Sequence, residues 1–171
     1  AYYKRYDESA RRFVPDCRTP QLADCTAEEL TNAYDNTIVQ TDRNLAQIID
    51  VLASHEDRID TAMIYVSDHG ESLGESGLYL HAAPYFMAPV EQTHVPMIAW
   101  FSDGFSHDAA LDRACLVEES GDALSHDNLF HTVLGLMDVE TAVYEPALAL
   151  TTPCRDPDAG NTSGDTEEPR A

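Results

Sequence analysis

Asp68, His69 and Gly70 stand side by side directly after an apolar run, Thr61 to Val66. Two more acids, Glu71 and Glu75, come next, and His81 follows His69 by 12 residues in a stretch rich in Gly and Pro. A hard carboxylate oxygen beside an imidazole nitrogen is a donor pair that suits zinc or manganese. Neighbouring residues on an extended strand point to opposite faces, so a shared ion requires the strand to stop at Asp68 and the backbone to turn. Gly70 makes such a turn cheap. Two ligands do not complete a site, and the others have to come from elsewhere. On the residues alone a second reading stands beside this one: Asp68 caps the following turn and His69 is a satisfied loop histidine.

Other candidates carry less. The glycines at 74 and 77 let the loop bearing His81 fold back over the pair. His55, His94, His107 and His131 have no partner at ligand spacing and read as structural or solvated. Ser67 and Ser72 lie near the acid–histidine pair, but neither sits in G-x-S-x-G, so a nucleophile elbow is not supported. Asn161-Thr162-Ser163 matches a glycosylation sequon, a three-residue match of low specificity.

The elements that must position Asp68 and His69 follow from periodicity. Residues 1–25 are aromatic, basic and loop-like. Thr26-Ala27-Glu28-Glu29 then reads as a capping box with Thr26 as N-cap and Glu29 at N3. Apolar residues at Leu30, Tyr34, Ile38, Leu45, Ile48, Ile49 and Leu52 predict one amphipathic helix to about Ser54. The run at 61–66 predicts a strand buried on both faces, as in a parallel sheet covered by helices. Residues 70–94 read as irregular. Val95 to Phe101 is a second strand with its proline near the start, where it is tolerated. Ser125-His126-Asp127-Asn128 caps a helix carrying Leu129, Val133, Leu136 and Met137. From Arg155 onward the composition reads as a disordered tail, and there is no internal repeat. Helix, strand, long loop, strand and helix is α/β grammar, in which ligands sit beyond the carboxyl ends of the strands.

Length and charge bound the function. The 171 residues can form one domain with a real core. The 31 acids against 10 bases give a formal charge of -21. That excludes phosphate-dominated nucleic-acid binding and docking on an anionic membrane by charge alone; it fits a heavily solvated, salt-adapted surface. The chain opens Ala1-Tyr2-Tyr3-Lys4, with no Met, no signal peptide and no run of about 18 apolar residues. As it stands it is expected to be soluble, and a processed chain or a piece of something longer. Four cysteines, an even count, favour an oxidising compartment. Cys17 and Cys25 close a compact loop just before the long helix and are expected to pair. Cys115 and Cys154 can form the second bridge, although four cysteines allow three connectivities.

The longer strings carry a family likeness. Ser67-Asp68-His69-Gly70-Glu71-Ser72-Leu73-Gly74-Glu75, Gly77-Leu78-Tyr79-Leu80-His81, Pro84-Tyr85, Ala88-Pro89 and Gln92 closely resemble the phosphoethanolamine transferases. These are bacterial inner-membrane enzymes of the alkaline phosphatase and sulfatase superfamily that modify lipid A. Tyr2-Tyr3-Lys4-Arg5-Tyr6, Asn32 to Ile38 and Ser125 to Gly135 resemble the same family, so the likeness runs from Ala1 to about Arg155. It implies a partial alkaline-phosphatase-like α/β/α sandwich. Residues 1–154 would be the C-terminal portion of the periplasmic catalytic domain, with 155–171 as the tail. In the family a threonine takes phosphoethanolamine from phosphatidylethanolamine and passes it to a lipid A phosphate, a modification tied to polymyxin resistance. Zinc holds that threonine together with a glutamate, an aspartate and a histidine. The last two map onto Asp68 and His69, while His81 matches a histidine near the substrate head group or a second zinc. Ala82 departs from the pattern, standing where the family usually has Gly. The threonine, its glutamate, a further histidine and the membrane-spanning domain lie upstream of Ala1 in the family. The resemblance therefore implies the C-terminal part of the enzyme, held at the periplasmic face of the inner membrane through that missing domain and inactive alone. Other readings are a sulfatase or phosphoglycerol transferase, which share the D-H-G element, and a non-catalytic acidic binding fragment.

Overall fold

The computed structural model describes residues 1–81 and 83–156. Ala82 and residues 157–171, which include most of the expected tail and the sequon, lie outside the described residues. The chain forms two compact units: Ala1–Asp57 with Ala62–Trp100, and Arg58–Thr61 with Phe101 onward.

In the first unit, α1 spans Ala27–Ala53. Its start is the capping box read from the sequence: Thr26 accepts from the Glu29 N–H, and the Glu29 carboxylate accepts from the Thr26 N–H at 2.8 Å. The core lies against the first three turns, where Leu30 and Ala33 pack with Tyr2 and Cys17. Asn36, at 0% exposure, is the polar member of this buried face. Its Oδ1 accepts from the backbone N–H groups of Arg12 and Phe13 at 2.7 and 2.9 Å, and its Nδ2 donates to the Phe13 carbonyl at 2.9 Å. A buried amide so used holds an irregular segment as a strand ladder would. The Cys17–Cys25 disulfide forms as expected, with Cα atoms 5.7 Å apart. The apolar stripe predicted for the second half of α1 is not buried: Ile38 and Ile48 are exposed at 51% and 47%.

β1 spans Ala62–Val66, β2 Ser72–Leu73, β3 Tyr79–Leu80, α2 Val90–Thr93 and β4 Met97–Phe101. The Ser67 N–H, just past the end of β1, donates to the Pro96 carbonyl, just before β4. At the other end the Ser102 N–H, just past β4, donates to the Thr61 carbonyl, just before β1, so the end of each strand meets the start of the other and the β1–β4 pair is antiparallel. This corrects the parallel expectation. An apolar run reports apolar surroundings and carries no information on the direction of the neighbouring strand. Nor is β1 deeply buried, its residues 63–66 being only half-buried, because among the described residues the sheet has two strands. The 70–94 segment is more regular than its composition indicated. β2 and β3 pair antiparallel, Ser72 with Leu80 and Leu73 with Tyr79, across a turn in which Gly74 and Gly77 take positive φ of 128° and 76°.

In the second unit, α3 spans Asp103–Asp108, α4 Arg113–Glu119 and α5 His126–Leu136. Ser102 caps α3 and Ser125 caps α5, the latter through a capping box with Asn128. The buried face of α5 is His131, Thr132 and Gly135, whereas the apolar Val133 and Met137 are exposed at 44% and 69%. Hydrogen bonds decide this: Thr132 Oγ1 accepts from the Leu150 N–H at 2.9 Å, and His131 Nδ1 accepts from the Glu145 N–H at 2.9 Å. His131 is accordingly a structural histidine. Cys115 and Cys154 form the second disulfide. Arg155 and Asp156, assigned to the tail from composition, are tied back. Arg155 Nε donates to the Ala109 carbonyl at 3.1 Å and the Asp156 N–H donates to the Ala110 carbonyl at 3.0 Å.

Candidate metal centre

The chain leaves β1 at Val66 and turns at once. The Gly70 N–H donates to the Gln92 carbonyl at 2.9 Å, which seats the turn against α2. The approach is so close that a Cβ on Gly70 would stand 1.9 Å from the Glu91 carbonyl oxygen. Gln92, itself buried, locks the other side: its Nε2 donates to Ser72 Oγ at 2.8 Å and to the Leu80 carbonyl at 3.0 Å. The segment carrying Asp68, His69, Glu71 and His81 is therefore held at both the turn and the hairpin.

Asp68 and His69 sit at the carboxyl end of β1, where the α/β pattern placed them. Asp68 projects with its side chain 87% exposed, and its Oδ2 lies 3.7 Å from His69 Nε2. Two donor atoms each about 2.0–2.2 Å from one zinc are at most about 4.3 Å apart, so this separation permits a shared ion. The proton on His69 is fixed by its partner. Nδ1 lies 2.8 Å from the Gly70 carbonyl, which only accepts, so Nδ1 carries the hydrogen and the Nε2 lone pair is left beside Asp68. Part of the alternative, turn-capping reading also holds, since the His69 N–H donates to Asp68 Oδ1 at 3.1 Å. Capping occupies one carboxylate oxygen and leaves the other.

His81 comes to the same place. Its ring lies on that of His69, with centroids 3.8 Å apart and planes inclined by 30°. The residue missed from the sequence is Glu71. Its side chain is 7% exposed, and its Oε2 lies 3.1 Å from His81 Nδ1. One ligand atom each of His69, Glu71 and His81 lies within 4.8 Å of the other two. The only signal in the sequence was proximity: Glu71 is an acid two residues after His69. Glu71 Oε1 and the Tyr2 hydroxyl are both buried and lie beside each other, short of good hydrogen-bond geometry. Burial, and the Glu71 carboxylate beside it, push the Tyr2 phenol well above its ordinary range. The same two causes raise Tyr34, whose ring meets Tyr2 edge-on at 5.6 Å. A buried carboxylate and an imidazole lone pair held by its tautomer are the donor chemistry that a zinc-type cation takes.

Residues 1–139 match the sulfatase family. This chain belongs to it. Phosphoethanolamine transferase EptA of Salmonella typhimurium is 44% identical over 155 residues, which is 90% of this chain and 28% of that relative. The soluble domain of lipooligosaccharide phosphoethanolamine transferase A from Neisseria meningitidis superposes with a TM-score of 0.88 at 44% identity, covering 91% of this chain and 47% of that one. The C-terminal periplasmic domain of phosphoethanolamine transferase EptC from Campylobacter jejuni gives 0.79 at 44% identity, covering 91% and 49%. The fold is alkaline-phosphatase-like, as its sulfatase-family motifs implied. The chain spans about a quarter of the length of the curated relatives it matches. Among the described residues no helix is long and apolar enough to cross a membrane.

Proposed function

We propose that this chain is the metal-binding part of a zinc-dependent phosphoethanolamine transferase that moves phosphoethanolamine from phosphatidylethanolamine to lipid A at the periplasmic face of the inner membrane. The observation that carries the reading is the convergence of Asp68 Oδ2 and His69 Nε2, 3.7 Å apart at the end of β1. The names of the similar proteins support the transferred group, and one names a lipooligosaccharide acceptor.

Asp68 and His69 would hold the zinc. Bound there, zinc stabilises charge on phosphoryl oxygens and lowers the pKa of an oxygen nucleophile. Asp68 supplies the compensating negative charge. His69 supplies a neutral nitrogen, its lone pair aimed by the Nδ1–H bond to Gly70. His81, stacked on His69, faces the place where a phosphate head group or second cation would sit. No residue of this chain matches the family's threonine nucleophile, and a metal does not replace a covalent acceptor. The 171-residue chain by itself would therefore not transfer phosphoethanolamine.

The test is transfer from labelled phosphatidylethanolamine to lipid A by the full-length enzyme containing this chain, with zinc content measured in parallel. Activity lost on chelation and restored by zinc supports the proposal. Activity that survives complete metal removal overturns it.

A further inference from the structure

Glu71 is the least exposed carboxylate at the site, and burying an ionised carboxylate is unfavourable unless its oxygens are used. One oxygen faces His81 Nδ1 at 3.1 Å, and the other is buried beside the Tyr2 hydroxyl. His69 is set by its own backbone, through Gly70. The hydrogen bond that sets the His81 ring is instead accepted by Glu71, across the β2–β3 hairpin. The flanking Leu80 has a positive φ of 66°, so local backbone preference does not by itself place the ring.

We propose that Glu71 is the positioning residue for His81. Its carboxylate accepts from Nδ1–H, fixes that tautomer, and holds the ring against His69 with the Nε2 lone pair free for a cation or for a proton of the substrate head group. The proposal rests on the reading that His81 works at this site. Which imidazole nitrogen carries the proton is set by the hydrogen bond the other groups offer it. Loss of such a partner typically lowers metal affinity or activity 10–100-fold.

The test is nitrogen-15 imidazole spectroscopy of the 171-residue chain, metal-free and at a pH where the rings are neutral, on wild type, Glu71→Met and Glu71→Gln. Wild type should show His81 protonated at Nδ1. Glu71→Met, which removes the acceptor at similar volume, should move the proton to Nε2 or average the two. Glu71→Gln, whose amide oxygen still accepts, should retain the wild-type signature. An Nε2–H tautomer in wild type overturns the proposal even if Glu71→Met does not fold. So does an unchanged Nδ1–H tautomer in folded Glu71→Met. In the full-length enzyme, Glu71→Met should lower transfer about 10–100-fold, with Glu71→Gln recovering part of it. If His81→Ala leaves transfer unchanged while the tautomer obeys Glu71, the functional reading of His81 fails and the positioning does not.

Discussion

Gly70 and Glu91 meet backbone to backbone, so closely that a methyl group on Gly70 would lie 1.9 Å from the Glu91 carbonyl oxygen. The atom in the way is main chain, fixed within α2, and it cannot rotate aside. The turn that presents Asp68 and His69 therefore depends on a contact that other residue types cannot make.

Gly70→Ala should cost about 1–3 kcal/mol of stability, the usual range for overpacking. It should also displace Asp68 from His69 enough to reduce zinc binding. Urea unfolding checks the first effect and metal titration the second. An alanine variant as stable as wild type would show that α2 yields.

Asp68→Asn keeps the shape and removes the charge. Because the side chain is 87% exposed, the unfolding midpoint should be unchanged, while zinc content and transfer by the full-length enzyme fall at least tenfold. Near-normal transfer by that variant would remove Asp68 from the metal site.

Asn36→Ala leaves the backbone groups of Arg12 and Phe13 unpaired next to the core, and should cost about 3 kcal/mol in chemical denaturation. Protection of the Arg12 and Phe13 amides from hydrogen exchange should be lost in the same variant. Retained protection would mean that other groups hold the loop.

Acid should weaken the N-terminal segment through Asp16. Burial alone would raise its carboxyl, but hydrogen bonds from Arg11 and Tyr6 and the charges of Arg11 and Arg18 outweigh it and hold it below the ordinary carboxylate range. A depressed folded-state pKa means that the unfolded chain binds the proton first. The stabilisation is thus present above the ordinary carboxylate value and is lost as pH falls from there through the folded value. Asp16→Asn should lower stability at neutral pH, and its difference from wild type should shrink in that acid window. A difference independent of pH would refute the assignment.

What the sequence determined by itself was local or periodic. Thr26 and Glu29 mark the start of α1, and Ser125 the start of α5, because a cap is a contact among residues three apart. Asp68 and His69 could be placed at a strand end because an apolar run stops there, and the Cys17–Cys25 pairing followed from a short loop. The motif strings also carried the family. Tertiary structure decided the rest. The antiparallel partner of β1 is β4, Met97–Phe101, and nothing within 61–66 encodes it. Asn36, Thr132 and His131 are buried where apolar neighbours are exposed, because hydrogen bonds to distant backbone chose the inward face. Glu71 was visible only as an acid two residues after His69. Its pairing with His81 needed the β2–β3 hairpin to close, since a contact spanning 10 residues exists only once the chain has folded back on itself.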